Sequence, residues 1–141
     1  IETNTPMLPV SSHAIPLSAN TQSLGHYTLL PPSKSGLKDQ YYLLSKRSSY
    51  KVLGRYSWKQ PGDNFAMVAL PHLDSQGWQM QGTIQVKQSN YYSFKSKLQF
   101  SPPSNPDASF TVEQTQRLKG NTVYYFDHAK IGMIVAIHKI A

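Results

Sequence analysis

The sequence contains no cysteine, and this absence excludes several kinds of chemistry at once. Without thiols the chain has no disulfide framework, no thiolate nucleophile and no cysteine zinc site. Charged residues make up only 15% of the chain, below the share of about 25% that is usual for globular proteins. A chain of 141 residues buries roughly two-thirds of its unfolded surface, so one domain folds here without cross-links.

Long apolar runs and common catalytic motifs are also missing. The longest apolar run, Ile131–Ile137, is far shorter than the roughly 20 residues of a membrane-spanning helix, so we expect no transmembrane segment. There is no glycine-rich phosphate loop and no nucleophile-elbow serine. The seven acidic residues include no close pair of the kind a glycosidase uses. The histidines have no metal-ligand spacing, so the sequence predicts a protein that is not an enzyme and carries neither metal nor cofactor.

Positive charge is what the sequence has in excess. The formal net charge is +7 and the isoelectric point is about 9.6. Such a balance favours an anionic partner, whether nucleic acid, anionic lipid headgroups or an acidic cell-wall polymer. The sign of the charge alone leaves these three classes open.

Proline divides the chain into an arm and a domain. Residues 1–33 contain five of the ten prolines, which predicts an irregular N-terminal arm that lies over the domain or stays partly mobile. Within it, Tyr27–Leu30 is a candidate edge strand. Residues 34–141 form the single predicted domain. Its one helix is capped by Ser33 or Ser35 and extends to about Ser48.

After this helix the apolar pattern changes to a period of two, which is typical of strands. The strands next to Ser89–Asn90 form the clearest predicted hairpin, and the last strand is apolar on both faces, which predicts a central position. We therefore predict an α+β fold, a mostly antiparallel sheet of about six strands with one helix packed on it. The predicted strands are Tyr50–Lys59, Phe65–Leu70, Trp78–Lys87, Tyr91–Phe100, Phe110–Lys119, Val123–Phe126 and Ile131–Ile140.

In the predicted strands, period-two alternation directs one set of side chains away from the core. Most of these side chains are basic or carry an amide. If these strands share a sheet, one face combines cations for carboxylates with amides for hydroxyls and peptide bonds, as an acidic polymer requires. An ordinary solvated sheet face explains the pattern equally well. The set comprises Lys51, Arg55, Lys59, Gln79, Gln81, Gln85, Tyr91, Lys95, Lys97, Gln99, Arg117 and Lys119.

Two further groups are candidate contacts. Trp58 is placed to stack on a sugar while Gln60 hydrogen-bonds a hydroxyl or amide, although its period-two position favours a core residue. Asp127 and His128 form the most chemically suggestive pair, with His128 as a ligand-contacting or acid–base group. The favoured alternative is that Asp127 shapes a turn.

Four segments, in this order, resemble the CsiV family of periplasmic, peptidoglycan-binding, cell-shape proteins. They are YKVLGRYSWKQP (50–61), the GTIQV–YYSFKSKLQF hairpin, the strand of Arg117 before a Gly-Asn turn, and VYYFDHAKIGMIVAI (123–137). The resemblance covers about residues 37–141. The chain departs from the family pattern at Gly54–Arg55, at Ala129, where proline is usual, and at Val123–Tyr124, where a Glu-His pair is common.

The resemblance implies a periplasmic, non-catalytic accessory protein of cell-wall synthesis. Its expected partner is peptidoglycan, another anionic envelope polymer, or a cell-wall synthesis protein docked on it. Two alternatives remain, a nucleic-acid-binding module and a structural protein-interaction domain. We do not expect nucleic acid as a partner, because the chain lacks an RNP-like motif and an arginine cluster. The predicted ligand-binding residues are Arg55, Trp58, Lys59, Gln60, Tyr91, Lys95, Lys97, Arg117, Asp127 and His128.

Overall fold

The structure, a computed structural model, contains ten strands and one helix in its described residues. These residues are 14–17, 27–31, 36–45, 52–60, 66–105, 107–128 and 131–139. In chain order the elements are β1 (Ile15–Pro16), β2 (Thr28–Leu29), α1 (Lys38–Ser45), β3 (Trp58–Lys59), β4 (Val68–Ala69), β5 (Leu73–Ser75), β6 (Trp78–Gln88), β7 (Tyr92–Ser101), β8 (Phe110–Leu118), β9 (Val123–Asp127) and β10 (Gly132–Ala136).

Three long antiparallel strands, β6, β7 and β8, form the centre of the fold. The register aligns Met80 with Phe100, and Leu98 with Val112. Because side chains alternate across a strand, these apolar residues share one face. Phe94 and Leu118 on that face are each 1% exposed. The predicted hairpin and the strand that follows it are therefore confirmed.

Shorter strands extend this sheet beyond β6. Both β4 and β5 pair antiparallel with β6, and β1 adds a parallel pair on the far side of β4. The result is a mixed sheet of six strands, which confirms the α+β prediction. Sequence reasoning missed β5, which joins β6 through Gln76 and Gly77. Both turn residues have positive φ, 54° and 84°, as a two-residue type I′ hairpin requires.

The β9–β10 hairpin covers the apolar face of the long strands. It directs Tyr124, Phe126, Met133 and Val135 onto the core cluster. Phe126 stacks on Phe94, with ring centroids 6.0 Å apart. The prediction of a central last strand is wrong, because β10 pairs with β9 alone in the described part of the chain. Its apolar content comes from packing onto the larger sheet.

The predicted strand Tyr50–Lys59 is mostly wrong. Within the described range 52–60 only Trp58 and Lys59 pair as a strand, with Thr28 and Leu29. The preceding residues cross β5 without pairing, and a Cβ on Gly54 would lie 2.9 Å from Leu73 Cδ2. Tyr56 and Trp58 pack on the core, which produces the alternation even though only Trp58 of the two lies in a paired strand.

Two pieces of the N-terminal arm join the domain. Ile15–Pro16 pairs with β4, and Thr28–Leu29 pairs with β3 inside the predicted edge strand Tyr27–Leu30. Ala14, Leu17 and Tyr27 are buried, with Tyr27 only 3% exposed. These pieces of the arm therefore contribute to the core.

The predicted helix is present and its described part spans Lys38–Ser45, while the predicted caps Ser33 and Ser35 fall outside the described residues. The amide of Tyr41 donates to the Leu37 carbonyl at 2.9 Å, and the guanidinium of Arg55 lies over the Tyr41 ring at 3.8 Å. The predicted continuation to Ser48 falls outside the described residues. Within the described part of the chain, no helix has both the length and the apolar character needed to cross a membrane.

Candidate functional site

The three long strands present one face that consists entirely of polar side chains. We call the outward side chains of β6, β7 and β8 the polar face. It contains four basic side chains and one acidic side chain, so its charge has the sign of the whole molecule. Its members are Gln79, Gln81, Thr83, Gln85, Lys87, Ser93, Lys95, Lys97, Gln99, Ser101, Thr111, Glu113, Thr115 and Arg117.

The register sets the order of charge along the polar face. Lys97 lies directly opposite Glu113, and their charged atoms are 3.9 Å apart with both side chains well exposed. Such a surface pair contributes little stability, but it offsets the charge of Lys97 locally. Lys95 instead lies opposite Thr115, and Arg117 lies opposite Ser93. Positive charge therefore concentrates at the Ser93 end of the face.

An aromatic side chain borders that end. Tyr91 precedes β7 and is 37% exposed, and the guanidinium of Arg117 lies 4.4 Å from the centre of its ring. A cation over an aromatic face gains roughly 0.5–1 kcal/mol at an exposed site. This contact orders a long side chain that would otherwise sample many rotamers.

Amide side chains occupy the other end of the polar face. Gln81 lies opposite Gln99, and Gln79 lies opposite Ser101, which is only 3% exposed. Gln81 and Gln99 are half-buried and already take part in interactions of the fold. Amides donate and accept hydrogen bonds together, so this end has the chemistry to contact sugar hydroxyls and peptide groups.

The structure places Trp58 and Gln60 within the fold. The Trp58 indole donates to Gln60 Oε1 at 2.9 Å, and Gln60 Nε2 donates to the Val86 carbonyl at 3.2 Å. Trp58 also packs on the core cluster. These contacts agree with the core interpretation, and a ligand role for either residue stays a prediction.

Several predicted basic residues lie apart from the polar face. Arg55 contacts the helix through Tyr41, and Lys59 is exposed on the two-residue strand β3. Lys119 follows the end of β8, and its backbone amide donates to Tyr124 Oη at 2.8 Å. Lys51 lies outside the described residues.

Asp127 and His128 lie at the far end of the β9–β10 hairpin. The His128 amide donates to the Ile131 carbonyl at 2.9 Å, so the backbone closes a turn here. His128 Nε2 is buried and has no hydrogen-bond partner among the described residues, while Asp127 is exposed. A ligand role for this pair stays a prediction.

Metal-ligating side chains do not cluster where the structure is described. No three His, Asp or Glu side chains gather there in a way that could hold a metal ion. Burial raises the pKa of the Tyr56 hydroxyl, which donates to the Pro71 carbonyl at 3.0 Å.

The structure adds residues that sequence reasoning did not select for the site. Lys87, Ser93 and Thr115 share the polar face with the predicted Lys95, Lys97 and Arg117. These residues become evident only from the strand register. Lys87 pairs with Ser93, and Ser93 pairs with Arg117, so the three residues form one row across the three strands. Composition and single-strand alternation do not supply that row.

A family model described as "Peptidoglycan-binding protein, CsiV" matches residues 2–140. The chain belongs to this family. The match includes nearly all of the N-terminal arm, where sequence reasoning had found no resemblance. No curated protein and no solved structure matches the chain.

Proposed function

We propose that this protein is a non-catalytic, periplasmic, peptidoglycan-binding accessory protein that supports cell-wall synthesis and cell shape. The polar face is the proposed contact surface. The observation that carries this proposal is that the outward side chains of three paired strands are all polar and include four basic residues against one acidic residue. Family membership supports the choice of peptidoglycan as the polymer.

The chemistry of the polar face agrees with that of peptidoglycan. Peptidoglycan combines amide- and hydroxyl-rich glycan strands with short peptides that carry free carboxylates. Glutamine and threonine side chains pair with amides and hydroxyls, and lysine and arginine pair with carboxylates. A cell-wall synthesis protein bound to the same polymer is a further proposed partner.

Nucleic acid is a weaker candidate for the same face. Proteins that bind single strands stack bases on aromatic side chains of the binding surface. The outward positions of β6, β7 and β8 include no aromatic residue, and Tyr91 lies only at their border.

Co-sedimentation of the purified chain with isolated peptidoglycan sacculi tests the proposal. We expect retention above that of an unrelated protein of equal size and charge, weakening as salt shortens the screening length to about 10 Å at 0.1 M. Retention equal to that of the unrelated protein contradicts it. A gel shift with single-stranded oligonucleotides in the same buffers checks the alternative, and tighter binding there also contradicts it.

A further inference from the structure

The cations of the polar face are not equivalent in their surroundings. Lys97 is offset by Glu113 at 3.9 Å. The row formed by Lys87, Ser93 and Arg117 contains no acidic residue. Lys95 is the diagonal neighbour of both cations in this row and also of Glu113, with Cα atoms about 7–8 Å apart in each case. In the register, three cationic residues are therefore neighbours of Ser93.

The geometry of Arg117 favours a planar anion. The guanidinium carbon lies over the Tyr91 ring, 4.4 Å from its centroid. The planar guanidinium carries five N–H donors in a fixed fork, which matches the two oxygens of a carboxylate. Lysine has no such preference, since its ammonium is a compact point charge.

We propose that this end of the polar face binds the free carboxylates of peptidoglycan stem peptides, and that the glycan strand contributes only secondary contacts. Arg117 is the bidentate ligand, Lys95 is the second cation, and the Ser93 hydroxyl donates a hydrogen bond. Tyr91 is a positioning residue that acts through Arg117. This inference rests on the proposed function and specifies the group recognised.

Chemical removal of the carboxylates separates this inference from general binding. Native sacculi are compared with sacculi whose carboxyl groups have been converted to amides, using the full chain and the variant Arg117→Lys. Amidation keeps the glycan and the peptide backbone but removes the negative charge. Arg117→Lys keeps the net charge but removes the planar guanidinium. Because Arg117 is exposed, we expect the variant to fold normally.

On native sacculi we expect Arg117→Lys to weaken binding about threefold or more, because a bidentate contact is lost. On amidated sacculi the unchanged chain should bind at least about tenfold more weakly, and the two proteins should no longer differ. Tyr91→Phe should retain native affinity, whereas Tyr91→Leu should match Arg117→Lys.

Two outcomes overturn the inference in different ways. If the unchanged chain binds amidated sacculi as tightly as native sacculi, carboxylate recognition is wrong while the proposed function stands. If the chain does not bind native sacculi, the proposed function and this inference both fail.

Discussion

At the scale of single residues, Gln60 connects the segment before β4 to the long sheet. Its side chain accepts from the Trp58 indole and donates to the Val86 carbonyl. Because β4 pairs with β6 only at Ile84 and Thr83, this donor reaches a part of β6 that β4 does not cover. The Gln60 side-chain amide therefore has a structural role, whether or not it also contacts a ligand.

Replacing Gln60 by alanine tests that role. We expect Gln60→Ala to lower the free energy of unfolding by about 1–3 kcal/mol, since two partly buried groups lose their partner. Urea denaturation measures the change. Gln79→Ala, at an exposed position of β6, is the matched control and should cost less than about 0.5 kcal/mol. Equal stability of the two variants would show that the Gln60 contacts contribute nothing.

Tyr56 contributes to the stability of the fold in a way that is lost at alkaline pH. Burial raises the pKa of its hydroxyl above the ordinary value of about 10, so the folded state retains the proton longer than the unfolded chain does. This contribution is fully present below about pH 10 and is lost as the pH rises through the folded pKa. The hydrogen bond to the Pro71 carbonyl requires the same proton.

Tyr56→Phe should therefore be less stable than the unchanged chain at about pH 8, by about 1 kcal/mol, and the difference should shrink above about pH 10. Urea denaturation at a series of pH values provides the comparison. Tyr125→Phe alters a tyrosine that is 64% exposed and should follow the unchanged chain throughout. A constant difference between Tyr56→Phe and the unchanged chain would refute the pH argument.

At the scale of elements, predictability follows strand length. Strands β6, β7 and β8 have nine to eleven residues each, long enough for period-two alternation to stand out from chance. Strands β1, β2, β3 and β4 have two residues each. Tertiary contacts decide such short pairings, so the local pattern near Tyr56 predicted a strand that only Trp58 and Lys59 form.

The β5–β6 turn contains a signal that sequence reasoning overlooked. Gln76 and Gly77 both have positive φ, and Asn-Gly is the preferred pair for such a turn. A Cβ on Gly77 would lie 2.6 Å from Pro103 Cβ. Glycine is therefore required at the second position, while glutamine is strained at the first.

Neighbouring substitutions in this turn should have opposite effects. Gln76→Asn should raise the free energy of unfolding by about 0.5 kcal/mol, because asparagine tolerates positive φ better. Gly77→Ala should lower it by about 1–3 kcal/mol through strain and the contact with Pro103. Thermal or urea unfolding measures both, and a shift of the same sign in the two variants would contradict the assigned turn.

At the scale of the whole molecule, alternation correctly predicted that several basic residues share one polar face, but it also assigned residues to that face that lie elsewhere. Tyr91, Lys95, Lys97 and Arg117 lie together, as the shared-sheet hypothesis required. Arg55 and Lys59 were assigned to the same face by a period that arises from core packing of their neighbours. Register between strands is a non-local property, so no local pattern could separate these two groups.

The central claim is that binding depends on where the charges lie and not on how many there are. Co-sedimentation with native sacculi should compare Lys95→Gln/Arg117→Gln with Lys59→Gln/Lys139→Gln. Lys59 was predicted from the sequence as a ligand residue but lies apart from the polar face, so it serves here as the control. Both double variants lower the net charge of +7 by two, and both Lys59 and Lys139 are exposed outside the three long strands. We expect the first variant to lose about five- to tenfold in affinity and the second less than about twofold. Equal losses would mean that net charge alone drives binding and would contradict the assignment of the polar face.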